Sequence, residues 1–319
     1  MQTLILGAGA LGSVMSAYLT RAGVPVTLLA RGQRAAFLHK HGVSVTGVED
    51  FTVPVTVATH PHELREADLL IVTVKTYDTE PALASVSHLN VGSVFSLQNG
   101  VRKNEQLAHY FGWEKTLGAS PLFSAEVTPT GSVHFTYHGG LVLGEFSGTT
   151  STRLQTVAAM LEYGGMRPML TPQIQSVEWS KYASFVGWMA VAALTRLETP
   201  KFLQDPDLAA LVVQLIRETA QLAVHSGIPL EDHAPFFSKT LSSVPFAEAV
   251  ETLQHLGRRL ATQSAAHKVS TLQDLERGRR LEVDEILGYA VRQGEALGLP
   301  LPTVETCYRL LAGVNRYLQ

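Results

Sequence analysis

Gly7, Gly9 and Gly12 stand in the order G-A-G-A-L-G, directly after the apolar run Thr3-Leu4-Ile5-Leu6 and ahead of an apolar helix start at Val14, Met15, Tyr18 and Leu19. A short strand, a glycine turn and a helix bring backbone N–H groups and the positive end of the helix against a pyrophosphate. The chemistry this spacing predicts is dinucleotide binding, with Gly7, Ala8, Gly9, Ala10, Leu11 and Gly12 as the phosphate cradle. A bare glycine fingerprint also serves tight strand-to-helix packing, so its surroundings decide. The next strand, Val24 to Ala30, ends about twenty residues beyond the last glycine, where an NAD-preferring site carries an Asp or Glu for the ribose 2′-hydroxyl. Here the chain reads Leu28-Leu29-Ala30-Arg31-Gly32-Gln33-Arg34. With no carboxylate and two guanidiniums, the position suits a 2′-phosphate, and NADPH is expected over NADH. Arg31 carries that reading; Arg34 taken alone reads as a solvated loop charge.

Two further polar signals leave strands at their C-terminal ends, where ligands bind in open α/β sheets. Val72-Thr73-Val74-Lys75 ends in a lysine, and Phe95-Ser96-Leu97-Gln98-Asn99-Gly100 ends in an amide before a glycine. Each has a bland counterpart, a solvated lysine and a common Asn-Gly turn. Farther on, Trp179-Ser180-Lys181 opens a very apolar segment, Phe185 to Leu194, in which Lys181 is the nearest cation. An ammonium is expensive to bury unpaired, so Lys181 belongs either at the wet end of a helix or in a site that tunes it. Ser270-Thr271-Leu272-Gln273 reads as a capping box opening a helix, and Glu282 as a solvated residue of that helix paired with Arg279 or Arg280. His60 with His62 and His134 with His138 are close histidine pairs, and neither has a ligand set at metal spacing, so no metal is expected.

The elements that must position these residues follow from periodicity. The 319 residues are 45% hydrophobic, enough for two medium cores, and only 17% charged. A formal net charge of −3 and the lack of any Lys/Arg block give no footprint for nucleic acid or a membrane surface, so a small molecule is the expected partner. The single Cys307 excludes an internal disulfide and fits a reducing, cytoplasmic setting. Short apolar runs at Val43–Thr46, Thr52–Ala58, Leu69–Val74, Ser93–Leu97 and Thr116–Ser120 alternate with helical stretches, as a parallel sheet demands. Phe123–Val127, Ser132–Tyr137 and Leu141–Leu143, with turns at Pro129-Thr130-Gly131 and His138-Gly139-Gly140, read as an antiparallel meander added to that sheet. A helix over Thr152–Leu161 and a strand around Met169 lead to a boundary at Pro172. The fold class expected is α/β, an N-terminal Rossmann-type domain over 1–172 followed by an all-helical domain over 173–319. In the second, Leu208, Leu211, Val212, Leu215, Ile216, Thr219 and Leu222 mark one helix ending near Gly227, with further helices at about 246–264, 271–297 and 303–317.

Taken together, GAGALG at 7–12, the strand end at Arg31, VTVK ending at Lys75, LQNGV at 97–101, GGLVLGE at 139–145, WSK ending at Lys181 and STLQDLERGRRLEVDEILG at 270–288 resemble the ketopantoate reductase family, the NADPH-dependent 2-dehydropantoate 2-reductases. The resemblance covers nearly the whole chain. It implies reduction of a 2-oxo acid to a 2-hydroxy acid, with Lys181 as general acid and Glu282 as the carboxylate that pairs with it and contacts substrate and cofactor. It further implies Ser270 on the substrate carboxylate, with Lys75 and Asn99 beside the nicotinamide and substrate. The chain departs from the family's pattern four and eight residues after the lysine, where substrate-binding asparagines are usual and Phe185 and Met189 stand instead. The expected substrate is therefore ketopantoate or a related branched or aromatic 2-oxo acid, unless a neighbouring donor such as Ser184 replaces the amides. A non-catalytic, NADPH-binding redox sensor is the alternative. Composition alone allows a homodimer.

Overall fold

The computed structural model describes residues 1–318, and the chain divides into two compact units, Met1–Ile174 and a second beginning at Gln175. In the first, strands β1 (Thr3–Leu6), β2 (Val26–Leu29), β3 (Val43–Gly47), β4 (Phe51–Val53), β5 (Thr56–Ala58), β6 (Glu66–Val72), β7 (Asn90–Ser96), β8 (Leu117–Val127), β9 (Val133–Glu145) and β10 (Pro168–Leu170) are interleaved with helices. These are α1 (Ala10–Arg21), α2 (Gly32–His41), α3 (Thr79–Val86), α4 (Arg102–Phe111) and α5 (Thr152–Tyr163).

Five strands form a wholly parallel sheet in the order β5-β2-β1-β6-β7. Successive side chains of a strand point to opposite faces, and both faces here are buried, which is why consecutive apolar residues recur, as in Leu4-Ile5-Leu6 of β1 and Leu69-Leu70-Ile71-Val72 of β6. Ile5, Leu28, Leu69, Ile71 and Phe95 pack with Val14, Met15 and Leu19 of α1. The alternate set, Leu4, Leu6, Leu29, Leu70, Val72 and Val94, packs with Leu83 and Val86 of α3 and Leu107 and Phe111 of α4.

Three expectations need correction here. The run Thr52–Ala58 is not one strand. Pro54 lacks the N–H a ladder needs, and the chain breaks there into β4, antiparallel to β3, and β5, parallel to β2. Nor does the meander extend the parallel sheet. β8 and β9 form one long hairpin belonging to a second sheet of order β10-β9-β3-β4. The expected turn at Gly139-Gly140 is absorbed into β9, where Gly140 takes φ +97° and lets the strand bend without ending.

The second unit is helical: α6 (Ile174–Thr195), whose first residue counts with the first unit, then α7 (Thr199–Gln204), α8 (Pro206–His225), α9 (Ser238–Ser243), α10 (Phe246–Gln263), α11 (Ser270–Glu276), α12 (Val283–Leu297) and α13 (Pro302–Arg316). Helix α8 buries Val212, Leu215, Ile216, Thr219 and Leu222 of the expected face and leaves Leu208 and Leu211 half-buried. Its buried Glu218 accepts from the Thr303 and Val304 N–H groups, so a carboxylate caps the positive end of α13. The single helix expected over 271–297 is two helices. Gly278 adopts φ +63°, and Asn315 of α13 grips the break by accepting from the Leu281 N–H at 2.7 Å and donating to its carbonyl at 3.3 Å. Among the described residues, no helix is long and apolar enough to cross a membrane.

Candidate active site

The chain order of the parallel sheet reverses between β1 and β6, which makes that pair the switch point where an open α/β sheet takes its ligand. At the C-terminal ends of adjacent strands lie Arg31 after β2, the glycine turn after β1, Lys75 after β6 and Asn99 after β7.

The three glycines serve different needs. Gly7 has φ +114°, and a Cβ there would meet the Val74 nitrogen at 2.8 Å. A Cβ on Gly12 would collide with the Gly7 carbonyl and the Thr73 hydroxyl. Both positions are closed by the protein's own packing. Gly9 differs: the nearest atom to a Cβ there is the Thr73 carbonyl at 3.9 Å, so the fold itself leaves that space open. Gly9 is also the N-cap of α1 and offers no capping side chain, leaving the first-turn N–H groups to an outside acceptor. This cradle fits a pyrophosphate.

Arg31 is exposed at the N-cap of α2, as a partner for a 2′-phosphate must be. Arg34 is not the solvated charge expected. Its Nε donates to the Ala8 carbonyl at 3.0 Å, Nη1 to Gly131 at 2.6 Å and Nη2 to the Ser13 hydroxyl at 2.9 Å. Burial lowers its pKa from the ordinary arginine value. With its donors committed to these groups, Arg34 holds the glycine turn, and the 2′-phosphate reading rests on Arg31.

The strand ends are also bolted together. Thr73 donates its hydroxyl to the Gly7 carbonyl at 2.7 Å, tying β6 to the glycine turn. The Gln98 amide donates to the Val74 carbonyl at 2.9 Å and to the Thr79 hydroxyl at 2.7 Å, and its Oε1 accepts from Ser96 at 2.8 Å. Lys75 and Asn99 therefore follow residues locked to one another. Asn99 is half-buried and its side chain makes no hydrogen bond among the described residues, so its amide is available to a ligand. Sequence reasoning passed over Thr73 and Gln98, although both stand in the strand-end motifs it singled out.

In the second unit, Lys181 lies half-buried on α6 between fixed neighbours. The Ser180 hydroxyl accepts from the Glu231 N–H at 2.8 Å, and the buried Tyr182 hydroxyl donates to the Ile286 carbonyl of α12 at 2.7 Å. Burial raises the Tyr182 pKa well above the ordinary phenol value. The helix break places Glu282 at the N-cap of α12, one turn before Ile286. At 8% exposure it is a buried carboxylate, not the solvated residue expected. Arg279 lies 3.9 Å from Asp274, and Arg280 3.9 Å from Glu285. Ser270 is no capping residue: Val269 is the N-cap of α11, and Gln273 donates to the Lys268 carbonyl. The Ser270 hydroxyl makes no hydrogen bond among the described residues.

Phe185 and Met189 are 9% and 0% exposed, and the ring of Trp188, on the same helix, lies 5.3 Å from Phe236. Ser184 has no proton to offer in place of the missing amides. Ser238 gives its single proton to the Ser180 carbonyl, so the 2.7 Å contact between Ser184 and Ser238 takes its proton from Ser184. Cys307 is buried, its thiol pushed up to about 11 by burial and by Glu218, which makes it a poor nucleophile. His134 and His138 are held by Thr46 and by the Gly165 carbonyl.

A family model described as Ketopantoate reductase PanE/ApbA matches residues 3–148, and its C-terminal counterpart matches residues 173–315. A 2-dehydropantoate 2-reductase of Archaeoglobus fulgidus is 32% identical over 311 residues, 98% of this chain and 97% of the relative. Another, from Pyrococcus abyssi, is 26% identical over 98% of this chain and 97% of its own length. Among solved structures, a PanE/ApbA family ketopantoate reductase from Ralstonia eutropha superimposes with a TM-score of 0.85 at 27% identity, covering 100% of both chains. A D-mandelate dehydrogenase with NADH and anilino(oxo)acetate shares the fold at a TM-score of 0.85 and 18% identity, covering 100% of this chain and 99% of that one.

Proposed function

This chain belongs to the ketopantoate reductase family, and on that premise we propose that it uses NADPH to reduce the C2 ketone of a 2-oxo acid, ketopantoate or a branched or aromatic relative of it. The observation that carries this reading is the break between α11 and α12, which buries Glu282 at the head of the helix that Tyr182, the neighbour of Lys181, grips through Ile286. A carboxylate is thereby presented beside the element carrying the lysine, on a scaffold that gives neither much freedom.

The cradle at Gly9 and the exposed guanidinium of Arg31 would hold the pyrophosphate and the 2′-phosphate, while Lys75 and Asn99 would meet the nicotinamide end. When bound, the dinucleotide supplies the hydride. The protein's own task is the other charge. As the ketone accepts a hydride, negative charge grows on its oxygen; the Lys181 ammonium stabilises that oxygen and gives it a proton. Glu282 keeps Lys181 charged and aimed, since a neighbouring carboxylate favours the ammonium over the amine. Ser270 donates to the substrate carboxylate with the hydroxyl that its own helix does not use.

Phe185 and Met189 favour an apolar substituent over a hydroxyl at the far end of the substrate, because an unpaired buried hydroxyl costs about 1–3 kcal/mol. The engagement of Ser184 with Ser238 supports that preference by removing the nearest alternative donor. The reaction fits a soluble, cytoplasmic enzyme acting on a small molecule. A panel of 2-oxo acids followed by NADPH absorbance tests the reading: turnover of at least one member is expected, and binding of NADPH without any turnover would favour a sensor.

A further inference from the structure

Lys103, the second residue of α4, is 4% exposed, and the reaction just described does not use it. Its side chain turns back beneath the loop that follows β7. Nζ donates to the Ser96 carbonyl at 3.1 Å, the Gln98 carbonyl at 3.1 Å and the Ala119 carbonyl at 2.5 Å. Three carbonyl dipoles from β7, its following loop and β8 thus converge on one cation. Burying an ammonium is costly, and the charge-assisted hydrogen bonds that offset the cost draw these carbonyls into place. An apolar residue of similar length often serves stability as well as a buried ion does, but it makes no directional bonds to the three carbonyls.

The geometry at stake is that of Asn99. The Gln98 peptide is held on every side: its N–H donates to the Ser96 hydroxyl at 3.1 Å, its amide bridges to Val74 and Thr79, and its carbonyl faces Lys103. With that carbonyl drawn inward, the next residue has a fixed starting direction. We propose that Lys103 is a positioning residue for the reduction, a built-in cation that clamps the ends of β7 and β8 and so sets where Asn99 meets the nicotinamide and substrate. The inference rests on the reductase reading above and concerns only how its loop is held.

The test compares the wild-type enzyme with Lys103→Met, which keeps length and removes the charge, and Lys103→Ala with and without added ammonium chloride, sodium chloride serving as the control. Each variant is assayed well below its own melting temperature with the best substrate of the panel, using NADPH and its 4-deuterated form. Misplacing a reacting group by about 1 Å costs on the order of 100-fold, so Lys103→Met should lose about 10–100-fold in kcat with a changed deuterium isotope effect. Ammonium, but not sodium, should restore part of the loss in Lys103→Ala. Amide exchange over residues 96–101 with NADPH bound should rise in Lys103→Met, a readout that does not depend on turnover. Unchanged kcat and isotope effect per folded enzyme, with only a lower Tm, would reduce Lys103 to a structural lysine, as would unchanged exchange. Failure of the reductase reading shows in the wild type itself, as absence of turnover, and is distinct from either result.

Discussion

The Arg34 guanidinium donates to the Ser13 hydroxyl at 2.9 Å, and both side chains converge on the Ala8 carbonyl, Arg34 Nε at 3.0 Å and Ser13 Oγ at 3.3 Å. A third donor reaches Gly131 at the tip of the β8–β9 hairpin, so one residue pins the glycine turn, helix α1 and the hairpin together. Arg31, three residues earlier, is exposed. Arg34→Ala should therefore weaken NADPH and NADH binding alike and lower stability by about 1–3 kcal/mol for the unpaired groups left behind. Arg31→Ala should weaken NADPH far more than NADH, since only the 2′-phosphate loses a partner. Dissociation constants for both cofactors, measured by calorimetry, separate the two roles; an Arg34 variant that discriminated between them would return that residue to the phosphate site.

Removing the proton donor should spare cofactor binding. Lys181→Ala is expected to lower kcat by roughly 10²–10⁴-fold, the range for general acid–base groups, with the Kd for NADPH little changed. Lost cofactor affinity with intact chemistry would take Lys181 out of the mechanism.

Glu282→Gln keeps the size of the side chain and removes its charge. The ammonium then loses the group that favours its charged form, and the high-pH limb of kcat/KM should move to lower pH. A profile and an oxo-acid KM both equal to wild type would leave Glu282 with a purely structural place at the head of α12.

Restoring amides along α6 tests the reading of the substrate wall. Phe185→Asn and Met189→Asn together should shift the kcat/KM ratio toward ketopantoate, and against an analogue without the hydroxyl, by about 10–200-fold, the scale of a pocket-fit effect. Met189 is fully buried, so the single Phe185→Asn variant guards against misfolding. A wild-type enzyme that already prefers ketopantoate to every analogue would overturn the preference assigned to these residues.

Acid sensitivity has a defined source in the second unit. His267 lies half-buried against Thr199, its Nδ1 2.9 Å from the Thr199 hydroxyl, and desolvation holds its pKa below the ordinary value of 6.5. The unfolded chain takes up the proton first, so this contribution is complete above about pH 6.5 and is lost as the pH falls toward the folded-state value. Urea unfolding between about pH 8 and pH 5 should show that loss, and His267→Gln should flatten it. An identical pH dependence in the variant would place the acid sensitivity elsewhere.

The features legible in the sequence were those set by local pattern. The apolar runs Leu4-Ile5-Leu6 of β1 and Leu69-Leu70-Ile71-Val72 of β6 announce a sheet buried on both faces, and the glycine spacing announces a strand, a turn and a helix. The misreadings came from partners distant in the chain. Arg34 looks solvated until Gly131, from the β8–β9 turn, comes beside it. Glu282 looks like a mid-helix surface residue until Asn315 grips Leu281 and breaks the helix. Lys103 stands in the polar run Arg102-Lys103-Asn104-Glu105, where nothing local marks it as buried. Pro54 was a local signal, and the break it makes between β4 and β5 was readable from the missing N–H.

In the proposed reaction a hydride passes from NADPH to C2 of a 2-oxo acid while Lys181 supplies the proton. This transfer is tested most directly by incubating the enzyme with C4-deuterated NADPH of each stereochemistry and the best oxo acid, and locating the label in the product by mass spectrometry and NMR. A 2-hydroxy acid with one deuterium at C2 is expected from one of the two cofactor isomers, formed far more slowly by Lys181→Ala. Product carrying no deuterium from either isomer, or no 2-hydroxy acid at all, would contradict it.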